Sequence, residues 1–300
     1  MLHSMIEIAL LGATASGKTG LAIEIAKEVD ANILSLDSLS IYKEVDIVSA
    51  KPTMEERDGI KHFGIDELYL DEYFSVATFF ELYKKAKEAS LKEGKHLIIV
   101  GGTSFYLKSM IEGLSVKLSV SDETKEKISK QLLNLDSAYQ NIQNLDPIYS
   151  GKISSSDSYR IEKWYEVYYE SGKIATVYFA QNEKKSIISD ITIFDILVER
   201  DELRKKISQR TSIMIESGLI DEIFYLEKKY GRVPIPMGAI GIKETLQYLD
   251  GKINKKELHE WISIHTSQLA KRQETFNKSQ FPQRIKLLKN DLRKNIRSIF

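Results

Sequence analysis

Gly12-Ala13-Thr14-Ala15-Ser16-Gly17-Lys18-Thr19 reads G-x-x-x-x-G-K-T, the pattern of a phosphate-binding P-loop. Its flanks have the matching character. Ile6-Glu7-Ile8-Ala9-Leu10-Leu11 before it is an apolar run of buried-strand length, and Leu21 to Lys27 after it reads as a helix. In such a loop the glycines let backbone N–H groups converge on a phosphate. The following helix turns the positive end of its dipole to the same anion. Lys18 adds a full charge, and the Thr19 hydroxyl is placed to hold Mg2+. The pattern is shared with ATP-binding proteins. It indicates a di- or triphosphate and leaves open which one, and what is done with it.

Outward from the loop, Asn32–Leu36, His96–Val100 and Ile191–Leu197 read as further buried strands. Phe74 to Lys92 reads as an amphipathic helix stopped by Gly94. Alternating strand and helix predicts an α/β fold, a P-loop NTPase-like parallel sheet flanked by helices. From Ser121 to Ser171 the chain is polar and helical in period, without comparable strands. An aromatic-rich helix, Tyr159 to Tyr169, ends there at Gly172. The expected organisation is a P-loop core, residues 1–113 and 187–300, with an inserted all-helical domain at 114–186. Beyond Leu197 long helices are expected to the C-terminus, broken at Gly231, Pro234 and Pro236.

Composition narrows the class. There is no cysteine, which excludes disulfides and Cys-type zinc sites. His3, His62, His96, His259 and His265 show no metal-ligand spacing. No apolar run approaches the ~20 residues that span a bilayer. The first strand begins too early for a signal peptide, so a cytoplasmic protein is expected, without membrane contact and as a monomer. Net charge is zero, with 43 basic and 43 acidic residues, which argues against indiscriminate binding to polyanions. Lys252 to Phe300 nevertheless carries 12 Lys/Arg against 4 Asp/Glu. That segment is either a nucleic-acid footprint or a solvated helical tail, and charge alone favours the tail.

A P-loop ATPase usually has a second strand ending in an acid that helps hold Mg2+. Here Leu97–Val100 ends in Gly101-Gly102, and the acid follows the earlier strand, at Asp37. The carboxyl ends of parallel strands face the ligand, so Asp37 is expected beside the P-loop. The alternative is a turn or cap residue, for which Asp-Ser is good chemistry.

Further blocks carry a resemblance. They are Asp37-Ser38-Leu39-Ser40-Ile41-Tyr42, Ser49-Ala50-Lys51-Pro52, His62-Phe63-Gly64-Ile65-Asp66 and Gly101-Gly102-Thr103-Ser104-Phe105-Tyr106. To these are added Asp157 with Arg160-Ile161, Arg200 to Arg210, Gly241 with Lys243-Glu244, and Gln268-Leu269-Ala270-Lys271-Arg272-Gln273. In this order and spacing the chain resembles the tRNA dimethylallyltransferases, which prenylate an adenine beside the tRNA anticodon. It departs from the family pattern at Ser104, Lys163, Ile242, Glu274, Phe276 and Asn277.

The resemblance implies that the phosphate ligand is dimethylallyl diphosphate, with Mg2+ as cofactor. The acceptor is then the N6 amine of the adenine 3′-adjacent to the anticodon. Gly12 to Thr19 would hold the diphosphate, with Lys18, Thr19 and Arg210 as its charge and metal partners, although sequence alone would leave Arg210 a surface residue. Asp37 would be the general base, with Ser38, Leu39, Ser40 and Thr103 around the adenine. Tyr159, Arg160, Ile161, Glu162 and Lys163 on the insertion, and Lys271 and Arg272 near the C-terminus, would contact the anticodon stem-loop. Trp164 reads as packing. Three alternatives are a prenyltransferase acting on free adenosine phosphates, a P-loop small-molecule kinase, and a non-catalytic RNA-binding module.

Overall fold

β1 (Glu7–Leu11), the apolar run ahead of the P-loop, is paired on both edges and covered on both faces; Ile8 to Leu11 are inaccessible to solvent. This is a computed structural model describing residues 5–113, 118–182 and 185–300; His3 and Leu114, the expected start of the insertion, lie outside them. The other strands are β2 (Ala31–Ser35), β3 (His62–Phe63), β4 (His96–Gly101), β5 (Thr192–Ile196) and β6 (Ile285–Leu287). Their order is β3-β2-β4-β1-β5-β6 and every pairing is parallel. The expected α/β fold, with its parallel sheet flanked by helices, is the fold observed.

The chain divides into two compact units, residues 1–109 with 188–300, and residues 110–187. In the first, α1 (Lys18–Val29) lays Leu21, Ala22, Ile25 and Ala26 on Ile8, Leu10, Ile33 and Ile98 of the sheet. α2 (Val76–Glu93) packs against β2 and β4. Ser75 starts α2 by accepting the Thr78 amide proton, and Gly94 ends it at φ +66°, a left-handed conformation that glycine adopts at no steric cost. α3 (Ser104–Glu112) follows β4.

The second unit is helical: α4 (Asp122–Gln131), α5 (Leu135–Leu145), α6 (Pro147–Ser150), α7 (Ser158–Ser171) and α8 (Ala175–Gln181). Its core gathers Ile128, Ile142, Ile161, Trp164, Tyr165 and Tyr178. Trp164 is fully buried, as its packing reading requires, and its indole N–H donates to Asp146 Oδ2 at 3.0 Å. Asp146 also accepts the Tyr149 amide at 3.2 Å, so one buried acid both caps α6 and satisfies the tryptophan.

The return to the first unit brings α9 (Arg200–Glu216), α10 (Leu219–Tyr230), a 3-10 turn at Ile235–Gly238, α11 (Ile242–Leu249), α12 (Lys255–Gln280) and α13 (Lys289–Arg297). Here the structure corrects the expectation of helices to the C-terminus. Ile285–Leu287 is a strand, β6, in register with Phe194–Ile196 of β5. Behind it α13 places Leu292 and Ile296 in the same core as α1.

Docking of this tail also disposes of much of the basic excess. Arg284 Nε meets Asp195 Oδ2 at 2.6 Å, and Lys286 meets Glu274 at 2.5 Å. Lys289 pairs with Glu24 at 3.1 Å, Arg297 with Glu28 at 3.2 Å, and Arg293 with both acids. The charges balance acids of the core and are not a free basic face. Lys271 and Arg272 make no ion pair among the described residues.

Candidate active site

The P-loop joins β1 to α1 in a shape its sequence dictates. A Cβ on Gly12 would lie 2.8 Å from Ser16 Oγ, so a larger residue there would make the Ser16 hydroxyl turn away. Gly17 sits at φ +84° immediately before α1. No side chain caps the N-terminus of α1 and its first turn holds no acid, which leaves its amides and dipole to an anion. Lys18 reaches back towards the Ala13 carbonyl at 3.4 Å. Desolvation lowers its ammonium to about pKa 8; Asp37 acts in the opposite sense, and Arg210 adds to the lowering.

Asp37 follows β2 at the strand end. Its Oδ1 accepts the amide protons of Leu39 at 2.8 Å and Ser40 at 3.1 Å. It is therefore a turn residue and, at the same time, a carboxylate on the cavity beside the P-loop. The Gly101-Gly102 pair at the end of β4 also has a steric reason. A Cβ on Gly101 would lie 2.5 Å from Leu36 Cβ, and one on Gly102 2.4 Å from Gln273 Nε2. Thr103 then donates its amide proton to the Leu36 carbonyl at 3.1 Å, which ties the two strand ends together.

Arg210 comes from α9, and its Nη2 donates to the Ser49 carbonyl at 3.3 Å. Burial lowers its pKa from the usual value, with Asp37 acting the other way. The loop that carries Ser49 is fixed from α10. The Glu222 carboxylate accepts three successive amide protons, from Asp46 at 2.8 Å, Ile47 at 2.7 Å and Val48 at 3.0 Å.

These groups surround one cavity of about 530 Å³ at the carboxyl ends of β1, β2 and β4. Thr14, Lys18, Thr19, Asp37, Ser38, Leu39, Ser40, Thr103, Arg210 and Arg272 line it, so most of the predicted site residues of this unit converge. Lys271 does not. It faces a second cavity of about 820 Å³ with Ala13, Ser16, Arg200 and Arg204, so neighbouring residues of α12 serve different spaces.

The remaining predicted residues lie in the second unit on α7. Tyr159 (66% exposed) and Arg160 are at the surface, Glu162 and Lys163 are half-buried, and Ile161 is fully buried in the core. Asp157 caps α7 through the Arg160 amide at 3.0 Å and pairs with the Arg160 guanidinium at 3.0 Å. The Asp157–Arg160 spacing is thus also a helix start.

The sequence reading passed over Glu222, His62 and the cavity role of Gln273. His62, on β3, lines the cavity with Nδ1 against the Ile60 carbonyl at 2.8 Å. Burial lowers its pKa. Its part in a block beginning at His62 was a usable signal; nothing local marks Glu222.

For a metal, the donors on the cavity near the P-loop are oxygens, the Thr19 hydroxyl and the Asp37 carboxylate. Among the described residues no group of three or more His, Cys, Asp or Glu is placed to hold an ion by itself. This donor set fits Mg2+, which binds through few protein oxygens and completes its shell with water and substrate phosphates.

Residues 40–280 match the family model of the IPP transferases. The chain is 52% identical to a tRNA dimethylallyltransferase of Aliarcobacter butzleri over 99% of both chains. It is 54% identical to one of Sulfurimonas denitrificans over 92% of this chain and 93% of that one. Among solved structures, a tRNA delta(2)-isopentenylpyrophosphate transferase of Staphylococcus epidermidis aligns over 98% of both chains with TM-score 0.70 and 28% identity. A eukaryotic dimethylallyltransferase acting on tRNA aligns over 96% of this chain and 75% of that one with TM-score 0.82; at 24% identity it speaks to the fold alone. No helix among the described residues is long and apolar enough to cross a membrane. With a family model spanning most of its length and relatives of more than half identity, the chain belongs to the IPP transferase family, among the tRNA dimethylallyltransferases.

Proposed function

We propose that the chain transfers a dimethylallyl group from dimethylallyl diphosphate to the N6 amine of the adenine 3′-adjacent to the tRNA anticodon, releasing diphosphate. The observation that carries the reading is the convergence of Lys18, Thr19, Asp37 and Arg210 on one cavity. Two cations and the uncapped amides of α1 share it with a carboxylate that acts electrostatically on both cations.

The bond that breaks joins an allylic carbon to oxygen, and negative charge grows on the departing diphosphate. On this reading the uncapped amides at the start of α1, the Lys18 ammonium and the Arg210 guanidinium meet that charge and stabilise the transition state without reorganising. Thr19 and the diphosphate's own oxygens would hold Mg2+, which when bound supplies further neutralisation. The attacking amine is weak, because its lone pair is delocalised into the purine. Asp37 accepts its proton as the new bond forms. Ser38, Leu39, Ser40 and Thr103 line the space for the base. A stacked base must leave its stack to enter such a cavity.

On the second unit, Tyr159 offers an exposed ring for stacking, and Arg160 and Lys163 offer charge to the anticodon stem-loop. Ile161 supports that helix from the core, and Glu162 lies between them. Arg272 and Lys271 are proposed phosphate contacts. In contrast to the paired tail residues, Arg272→Gln is expected to lower the salt dependence of tRNA affinity by about one phosphate contact. Arg293→Gln, whose charge answers Glu24 and Glu28, is expected to leave that slope unchanged. Affinity measured across a salt series checks both.

The Lys18 shift has a signed consequence. With its pKa lowered to about 8, the ammonium is charged below that pH and neutral above it in the free protein. A bound diphosphate favours the charged form. Affinity for inorganic pyrophosphate is therefore expected to fall as the pH rises through about 8, with proton uptake on binding there, and Lys18→Met is expected to lose that step. Calorimetric titration in buffers of different ionisation enthalpy reads both quantities.

The function itself is tested with labelled dimethylallyl diphosphate, Mg2+ and either unmodified tRNA or AMP. Label on the tRNA and none on AMP is expected. Label on AMP alone would move the acceptor to free adenosine phosphates.

A further inference from the structure

Thr14 and Gly102 belong to different strand ends, the first in the loop after β1 and the second in the turn after β4. One side chain joins them. Gln273 Oε1 accepts the Thr14 amide proton at 2.9 Å, and Gln273 Nε2 donates to the Gly102 carbonyl at 3.1 Å. These partners fix the orientation of the amide, since a flipped group would set donor against donor and acceptor against acceptor. The amide lies close over Gly102: a Cβ there would lie 2.4 Å from Nε2 and displace it. Gln273 reaches this place from α12, 259 residues along the chain from Thr14. It lines the cavity together with Arg272 and Phe276.

Transfer requires the allylic carbon and the acceptor nitrogen to be held about 3–3.5 Å apart in line. On the function proposed above, the loop of Thr14 holds the diphosphate, and the turn of Gly102 places Thr103 beside the base. A link between Thr14 and Gly102 is then a link between the two substrates. We propose that Gln273 is a positioning residue that couples the diphosphate site to the acceptor-base site through its two hydrogen bonds. This rests on the assignment of the cavity to prenyl transfer.

Coupling is reciprocal and measurable. In the wild-type protein, saturating inorganic pyrophosphate is expected to tighten binding of an anticodon stem-loop RNA by about fivefold or more. Gln273→Met keeps the length of the side chain and removes both hydrogen bonds. It is expected to bind each ligand alone about as well as wild type, to lose the coupling, and to lower kcat by about 10²-fold while the KM of each substrate changes little.

Gly102→Ala, which displaces the same amide from the other side, is expected to give the same loss, and the double variant to be no worse than either single one. Should Gln273→Met fail to fold, Gly102→Ala carries the test alone. Wild-type coupling that survives Gln273→Met overturns the proposal. So does the absence of coupling in the wild type, or losses that add in the double variant. Wild-type turnover is measured alongside: a folded wild type that transfers no prenyl group refutes the function itself, which is a different outcome.

Discussion

Asp37→Asn is expected to slow prenyl transfer by about 10²–10⁴-fold while tRNA binds about as well as before. Asparagine is the informative substitution because of what Asp37 does besides chemistry. Its Oδ1 holds the Leu39 and Ser40 amides, and these residues line the space assigned to the base. An asparagine carbonyl keeps both hydrogen bonds, so the turn survives. It loses only the capacity to accept the proton of the attacking amine. Asp37→Ala removes the turn acceptor as well, and is expected to weaken RNA binding in addition to losing the chemistry. Single-turnover rates with saturating RNA, set beside RNA affinity, separate the two effects. An Asp37→Asn protein with near wild-type rate would leave Asp37 a turn residue only.

Arg210→Met is expected to reduce kcat by about 10²–10³-fold, the usual consequence of removing one fixed donor from a developing anion. The Arg210 side chain is half-buried and donates to the Ser49 carbonyl, which belongs to the loop held by Glu222. Its charge is already desolvated and aimed before substrate arrives, so little reorganisation remains at the transition state. Arg210→Lys is expected to recover only part of the loss, because a point ammonium does not reproduce the planar fork of a guanidinium. Stopped-flow release of diphosphate measures the effect directly. A Met variant that binds diphosphate poorly but turns over normally when saturated would assign Arg210 to ground-state binding alone.

Much of this was legible in the chain. The P-loop, with a buried strand before it and a helix after it, specifies a strand–turn–helix at the carboxyl edge of a parallel sheet, and β1 and α1 are that unit. Asp37 could be placed because parallel strand ends share one edge, so the end of one strand locates the end of its neighbour.

What escaped was non-local. β3 is two residues long, and Ile285–Leu287 has no strand period of its own; each is a strand because a partner, β2 or β5, is there to pair with it. The basic tail read as a candidate RNA face or a solvated tail because a charge count does not register that Glu24 and Glu28 lie across from Arg293 on another helix. Gln273 and Glu222 act on backbone far away in sequence, and no local pattern marks a side chain whose partners are main-chain groups. The steric need for Gly101, which packs on the backbone and Cβ of Leu36, was likewise invisible.

The central claim is that a loop associated with nucleotide hydrolysis here holds a departing diphosphate, so that carbon–oxygen and not phosphorus–oxygen is the bond that breaks. The direct measurement uses dimethylallyl diphosphate carrying a heavy oxygen at the atom bridging carbon and phosphorus, turned over with unmodified tRNA, and mass spectrometry of both products. All of the heavy oxygen is expected in the released diphosphate, with the tRNA adenine heavier by a dimethylallyl group alone. Heavy oxygen retained in the organic product, or single phosphate released in place of diphosphate, would contradict the account.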